Sequence, residues 1–460
     1  MSTPTSNTVP VTTFDRADTA VPWLVWSAKW GGALGTGVDL AYSFDVNPAT
    51  FKPNYGDGLN EPGSLHLLAA FQRAAIVNGL AAWALVADIS FTPVTESAAQ
   101  VGDVRFGISG QVARTGHAYL PEDIPEAGDI WFSPVNWTDN LQRGSFDAYV
   151  ILHEIGHALG LEHTFSAPVV APTQFDNHFY SIMAYKASPW SDPVTGGTGT
   201  FYPTTPMFYD ILAMQSMYGK NLSANVGDTT YTFNQGTRYF ETIYDSGGND
   251  TIRFVGTEAI TINLNIGAFS RLSATIVFDG GVSKETVAIG PSTIIENAIG
   301  GGGADRLTGN SAANVLQGNG GADIFKGGGG ADTLIGASGG DKLNGGLGLD
   351  TLTGGAGADR FIFNTALSAA NRDAITDYNV ADDTLQLENV VFPGLGGAGV
   401  LTPGRFHIGA AAHDVSDRIV YNAVSGALYF DVDGMGGAAQ IQFAALSAGL
   451  ALTATDFVVI

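Results

Sequence analysis

Three histidines and a glutamate share one eleven-residue string, His153-Glu154-Ile-Gly-His157-Ala-Leu-Gly160-Leu-Glu-His163. On an α-helix, positions i and i+4 lie about 40° apart around the axis and one turn along it, so His153 and His157 address one ion. Glu154 is displaced around the helix but adjacent, where a carboxylate can serve as general base. Gly160 lets the backbone leave the helix sharply, a turn that a Cβ would resist, and the chain returns to deliver His163 as a third ligand. Three protein ligands with a fourth position open are the mark of a catalytic rather than a structural zinc site. The short string His-Glu-x-x-His would be a weak signal by itself; the extended form is a strong one. With that set complete, His66, His117, His178, His407 and His413 read as structural or exposed side chains.

A second pattern has a period of nine. Read from Gly300 as G-G-x-G-x-D-x-U-x, the sixth position is Asp305, Asn314, Asp323, Asp332, Asp341, Asp350 and Asp359. The eighth is Leu307, Leu316, Phe325, Leu334, Leu343, Leu352 and Phe361. A flexible glycine linker has no reason to keep an apolar residue in phase, whereas a parallel β-roll needs one per turn. Carboxylates at the sixth position, with turn carbonyls at Gly301, Gly303, Gly318, Gly320, Gly327, Gly328, Gly329, Gly330, Gly336, Gly345, Gly346 and Gly348, form an oxygen-only donor set. Such a set selects calcium. The turns ending in Asn314 and Asp341 are degenerate, and sites there are expected to be weak or empty. Without the ion, repulsion among stacked carboxylates and the entropy of glycine favour the coil, so this segment should fold on metal.

The elements that must carry these groups can be placed coarsely. Val38–Phe44, Ile89–Thr92, Val101–Ile108 and Asp129–Phe132 read as strands. Ser64–Val86 reads as a helix capped by Ser64, Ala148–Leu159 as the helix of the histidines, stopped by Gly160, and Pro206–Tyr218 as one more. The expected organisation is multidomain, α+β followed by all-β. A loose segment over 1–20, a propeptide candidate, precedes an α+β domain over 21–222. A β-rich connection over 223–298 leads to the roll over 299–362, and a C-terminal β domain fills 363–460.

Composition agrees with that division. The 460 residues exceed one ordinary core, and the 61 glycines follow no three-residue period. Acidic residues number 44 against 20 basic, a net charge of −24. That sign argues against a nucleic-acid partner, since binding phosphate needs the opposite charge; it favours a monomer and suits carboxylates that are calcium ligands. Cysteine is absent, which removes disulfides, thiolate catalysis and cysteine-rich zinc sites. The first twenty residues have neither a basic nor an apolar region of a Sec-type signal, and Gly79–Ala87 is far short of the roughly 20 residues that span a bilayer.

Ser181-Ile-Met183-Ala-Tyr185 lies downstream of the histidines, and the two strings together resemble the metzincin zinc peptidases. There the methionine forms an apolar floor beneath the metal, so the resemblance implies that place for Met183. Tyr185, two residues on, is similar to the tyrosine of serralysins and astacins, which ligates zinc and swings to hydrogen-bond the oxyanion. Astacins carry disulfides, so the resemblance narrows to the serralysins. Gly116-His-Ala-Tyr-Leu-Pro121 and Asp210-Ile-Leu-Ala-Met-Gln-Ser-Met-Tyr-Gly219 look like the same family, and Thr164 stands where its members usually carry proline.

The resemblance implies an N-terminal metzincin protease domain and a C-terminal parallel β-roll with β-sandwich. It implies one catalytic Zn2+, several structural Ca2+, and hydrolysis of internal peptide bonds in proteins outside a Gram-negative-type cell. Glu154 and Tyr185 would be catalytic. Asn225, Gly227, Thr229, Asp245, Gly247, Gly248, Asp250 and Glu296 resemble a further family calcium site, and Asp377 and Asp383 a pair closing the roll. Asp456-Phe-Val-Val-Ile460 resembles the C-terminal signal of type I secretion, or is simply a last strand. The secretion machinery and a proteinaceous periplasmic inhibitor are the partners implied. A non-catalytic calcium-binding surface or adhesion protein, and a processing peptidase of narrow specificity, remain the alternatives.

Overall fold

A computed structural model describes residues 9–44, 50–51, 55, 60–97, 100–166, 168–191 and 199–460. The chain divides into two compact units. The first comprises residues 1–226, 238–246 and 273–293, and the second residues 227–237, 247–272 and 294–460.

The first unit begins with β1 (Val11–Thr13) paired antiparallel to β2 (Ala28–Trp30). The tail expected to be loose over 1–20 is therefore structured from its second half, because its Val-Thr-Thr run has a partner; residues 1–8 lie outside those described. The main sheet contains β3 (Val38–Ser43), β4 (Leu65–His66), β5 (Ile89–Pro93), β6 (Val104–Ser109), β7 (Gly116–Ala118) and β8 (Asp129–Phe132). Their order is β5-β3-β6-β8-β7, with β4 against β6, and β7 and β4 run antiparallel to their neighbours. Three helices accompany it: α1 (Ala70–Val86), α2 (Phe146–Ala158) and α3 (Phe208–Tyr218).

The expected helix start at Ser64 is wrong. Leu65 and His66 pair with Ser109 and Ile108 across the sheet, and α1 begins only after Ala69, whose N–H donates to Gln72 Oε1 at 2.7 Å. Long-range strand pairing overrides the local helical pattern there. α2 is clamped on several sides. Gly79 of α1 brings the two helices so close that a Cβ on it would stand 2.8 Å from Ile151 and 2.9 Å from Ile155. The indoles of Trp83 and Trp30 donate to the carbonyls of Leu152 and Ala158, and the Tyr218 hydroxyl donates to that of Leu159. Among the described residues no helix is long and apolar enough to cross a membrane.

In the second unit successive nonapeptides alternate between two parallel sheets, so each strand pairs with the one eighteen residues on. Leu307, Phe325, Leu343, Phe361 and Leu385 are in register on one sheet, and Ala298, Leu316, Leu334, Leu352 and Ile375 on the other. All ten are buried. Two apolar columns thus form the core of the roll. Phe457–Val459 continues the first sheet beside Leu385–Leu387.

Candidate functional site

α2 starts where the Ser145 hydroxyl accepts the Ala148 N–H, and the buried Asp147 carboxylate accepts from Thr138 and Asn140. Past the last turn Gly160 adopts φ 105°, and Leu161 bridges to Val25, which swings the chain back to place His163. The Nε2 atoms of His153, His157 and His163 then stand 3.1–3.3 Å apart. Ligands about 2.0–2.1 Å from a tetrahedral zinc are about 3.3–3.4 Å from each other, so the triangle fits that ion. Tautomers agree: His153 Nδ1 lies 2.8 Å from the Ile182 carbonyl and His157 Nδ1 2.7 Å from that of Leu161. Each Nδ1 is thereby the protonated nitrogen, and bare Nε2 lone pairs face one another, an arrangement that repels unless a cation sits between them. Burial pushes the His153 imidazolium down to about 4 and that of His163 to about 3, so both rings are neutral ligands at pH 7.

Beneath the triangle runs the loop 181–185, with Met183 fully buried. Its sulfur approaches Gly156, where a Cβ would stand 2.9 Å from Sδ, so the second variable position of His-Glu-x-x-His is small for a packing reason. Four side chains hold this loop. Tyr149 donates to the Ile182 carbonyl at 2.8 Å, and His153 and His178 hydrogen-bond the carbonyls of Ile182 and Ala184. From α3, the buried Asp210 accepts from Ser181 Oγ at 2.6 Å, Ile182 N at 2.8 Å and Met207 N at 2.8 Å. Asp210→Ala leaves three buried donors unpaired. It is expected to cost about 3–5 kcal/mol and lower the melting temperature of the zinc-loaded chain by about 10 °C, as calorimetry would show. A melting temperature unchanged within about 2 °C would remove Asp210 from this role.

Glu154 is buried, and among the described residues its Oε2 has no hydrogen-bond partner. Burial lifts its carboxyl to about 8, against the pull of the Arg114 guanidinium. Tyr185 is 45% exposed, with its ring 4.6 Å from that of His163. Burial raises its phenol pKa, against the pull of the nearby Arg114 guanidinium. Beside His153 and Glu154 opens a cavity of about 550 Å³ walled by Phe146, Tyr149, Val150, His178 and Tyr202. Thr164, where proline is usual in the resembling family, is buried and donates to Asp176, which also pairs with Lys186 at 2.7 Å. Arg114 and Tyr149 escaped the sequence reading, and the parts played here by His178, read there as structural or exposed, and by Asp210, read only within a family-like string, arise through the fold.

In the roll, one oxygen of each aspartate closes a ladder. The N–H of residues 305, 314, 323, 332, 341, 350 and 359 is accepted by Oδ1 of Asp323, Asp332, Asp341, Asp350, Asp359, Asp373 and Asp383 respectively, at 2.7–3.4 Å. The second oxygen separates the turns. In Asp323, Asp332, Asp341, Asp350 and Asp359 Oδ2 is buried and without a hydrogen-bond partner among the described residues. It lies so near the first glycine of its turn that a Cβ on Gly318, Gly327, Gly336, Gly345 or Gly354 would come within 2.0–2.4 Å. Asp305 instead spends Oδ2 on Gly301 N at 2.7 Å. Asn314 accepts from Asn310 N and donates its amide to the Glu296 carbonyl. Of the two turns read as degenerate, only that of Asn314 is closed by its own backbone; Asp341 has the same free oxygen as its regular neighbours. Asp373 was missed, although Asp373-Ala-Ile375 repeats the D-x-U phase.

Asp377 accepts from Gly354 N and Gly355 N. Asp250 accepts from Thr229 N and donates its own N–H to Glu296, while Gly248 packs against the Gly227 carbonyl. Gly247 lies in the same turn, whereas Asn225 and Asp245 belong to the first unit, where they engage Tyr244 and Thr293.

Comparison with known proteins agrees with this geometry. A family model described as Matrixin matches residues 63–178, across α1, the sheet and the histidine string. Metallopeptidase AprA of Pseudomonas marginalis is 32% identical over 342 residues, covering 67% of each chain. Metalloprotease AprA of Pseudomonas entomophila is 34% identical over 60% of this chain and 59% of its own. Serralysin A of Dickeya chrysanthemi is 37% identical over 61% of each. The chain thus spans about three fifths to two thirds of the length of these curated relatives. The model described as Peptidase M10 serralysin C terminal matches residues 209–459, more than half of the chain, and with it this protein belongs to the serralysin family of M10 peptidases.

Proposed function

We propose that this chain is a secreted zinc endopeptidase that hydrolyses internal peptide bonds of extracellular proteins and folds on calcium. The observation that carries the reading is the triangle of histidine Nε2 atoms beside a buried carboxylate at the wall of a cleft. His153, His157 and His163 would hold the zinc, with Met183 under them. Zinc held there supplies a Lewis acid that acidifies water and polarises a carbonyl. Glu154 takes the proton of the attacking water and passes it to the leaving amine, a role that suits a carboxylate sheltered from solvent. Tyr185, half-exposed and turned to the cleft, donates its hydroxyl to the developing oxyanion. The aromatic walls of the 550 Å³ cavity suit a bulky apolar side chain next to the cut.

Tyr185→Phe is expected to lower kcat by about 10²–10³-fold with little change in KM, since the bond forms in the transition state alone. Steady-state kinetics on one fluorogenic peptide decide it, and a change confined to KM would make Tyr185 a binding residue instead. An intact Glu154 argues against a catalytically dead adhesion protein; casein digestion with and without a zinc chelator separates the two.

For calcium, five partnerless carboxylate oxygens in glycine cradles support sites at Asp323, Asp332, Asp341, Asp350 and Asp359. The closed turns of Asp305 and Asn314 support none of their own. Such a roll suits export through the type I machinery, unfolded inside the cell where calcium is scarce and folded outside, with the machinery and a proteinaceous inhibitor as partners.

A further inference from the structure

Arg114 stands in the loop between β6 and β7, exposed, and lines both the cavity walled by aromatic residues and the adjoining one of about 240 Å³ over His157 and His163. It is the single arginine or lysine in either lining, in a chain with 44 acidic and 20 basic residues. Among the described residues it forms no ion pair. The other carboxylates of the cleft are accounted for: Glu162 pairs with Arg16 at 3.3 Å, and Glu154 is buried beside the triad. Arg114 lies beside Tyr185 and, among the described residues, has a five-donor planar fork to offer whatever occupies the cleft. Its through-space pull on the Glu154 carboxyl uses none of those donors, and a guanidinium fork matches a carboxylate in two parallel hydrogen bonds.

We infer that Arg114 is a specificity residue that binds a carboxylate of the substrate close to the scissile bond. This rests on the peptidase reading above. The carboxylate is either an aspartate or glutamate side chain flanking the cut or a free C-terminus within two residues of it; both present the same two oxygens.

The test is a peptide series cleaved by the full zinc- and calcium-loaded chain. One position at a time carries Glu or Gln at the two residues on each side of the cut, and each peptide is made with a free and an amidated C-terminus. At low salt, kcat/KM is expected to be about fivefold to tenfold higher for the carboxylate at one position, an advantage that shrinks at 0.5 M salt. Arg114→Gln should bring that ratio to about one, and Arg114→Glu should invert it in favour of Lys over Gln. A gain at Glu identifies a side-chain carboxylate, and a gain at the free terminus a terminal one. Ratios near one throughout in the unmodified chain, or a ratio that survives Arg114→Gln, would overturn the inference. Absence of any chelator-sensitive cleavage would count against the peptidase reading instead. In that event the affinity of the same peptides for the zinc-loaded Glu154→Ala chain, with and without Arg114→Gln, still decides whether Arg114 reads a carboxylate.

Discussion

Glu154→Ala is expected to keep one zinc per chain and to lose turnover by about 10²–10⁴-fold. Metal retention follows from how the histidines are held. His153 and His157 are oriented by the carbonyls of Ile182 and Leu161, and His163 by the turn at Gly160, with no bond to Glu154 in any of these anchors. The side chain packs against Gly116 and among the described residues has no hydrogen-bond partner on Oε2, so its loss unties no hydrogen bond there. What disappears is the buried carboxylate placed beside the triad to take a proton. Atomic absorption beside peptide turnover makes the comparison. Near-normal turnover would remove Glu154 as the base, and loss of zinc would make it a ligand.

Calcium is expected to change the roll from exchanging to protected while leaving the first unit folded. In the calcium-free chain five buried carboxylate oxygens have no donor, and burial holds Asp323 and Asp332 up near 7 and Asp341 near 6. Carboxylates eighteen residues apart add repulsion to that cost. The glycines beside them, Gly328 at φ 109° and Gly346 at φ 100° among others, surrender much backbone freedom on folding. Two apolar columns of single Leu and Phe residues are a small core against those costs. A divalent cation in each cradle offsets both the repulsion and the missing donors, and sites of this type in extracellular modules fill at about 10⁻⁴–10⁻³ M. Hydrogen exchange of residues 299–362 in the whole chain should therefore fall by orders of magnitude as calcium rises through that range in zinc-containing buffer. All seven tryptophans lie at or before Trp190, so their fluorescence reports the first unit independently. Equal protection of 299–362 in calcium-depleted buffer would make the roll a static scaffold.

Local spacing made much of this legible. Histidines at i and i+4 share a helix face wherever the helix goes, and a glycine three residues after the second forces the turn that brings the third. A nine-residue period with one apolar phase can bury that phase in few ways, so both the roll and its ladder of aspartates follow from the string. The failures have one cause. Ser64–Val86 looked helical throughout because nothing local reveals that Leu65 and His66 meet Ser109 and Ile108. Asp341 looked degenerate from its neighbours, yet its Oδ1 is taken by the Asp323 N–H eighteen residues away, and its Oδ2 is left free among the described residues. Only the tertiary structure brings Asp210 of α3 under Ser181 and Ile182, sets Gly156 against Met183, and puts Arg114 at the mouth of the cleft. Those contacts join residues 25 or more positions apart, and no period or spacing in a linear chain encodes which distant side chain will arrive at a given point.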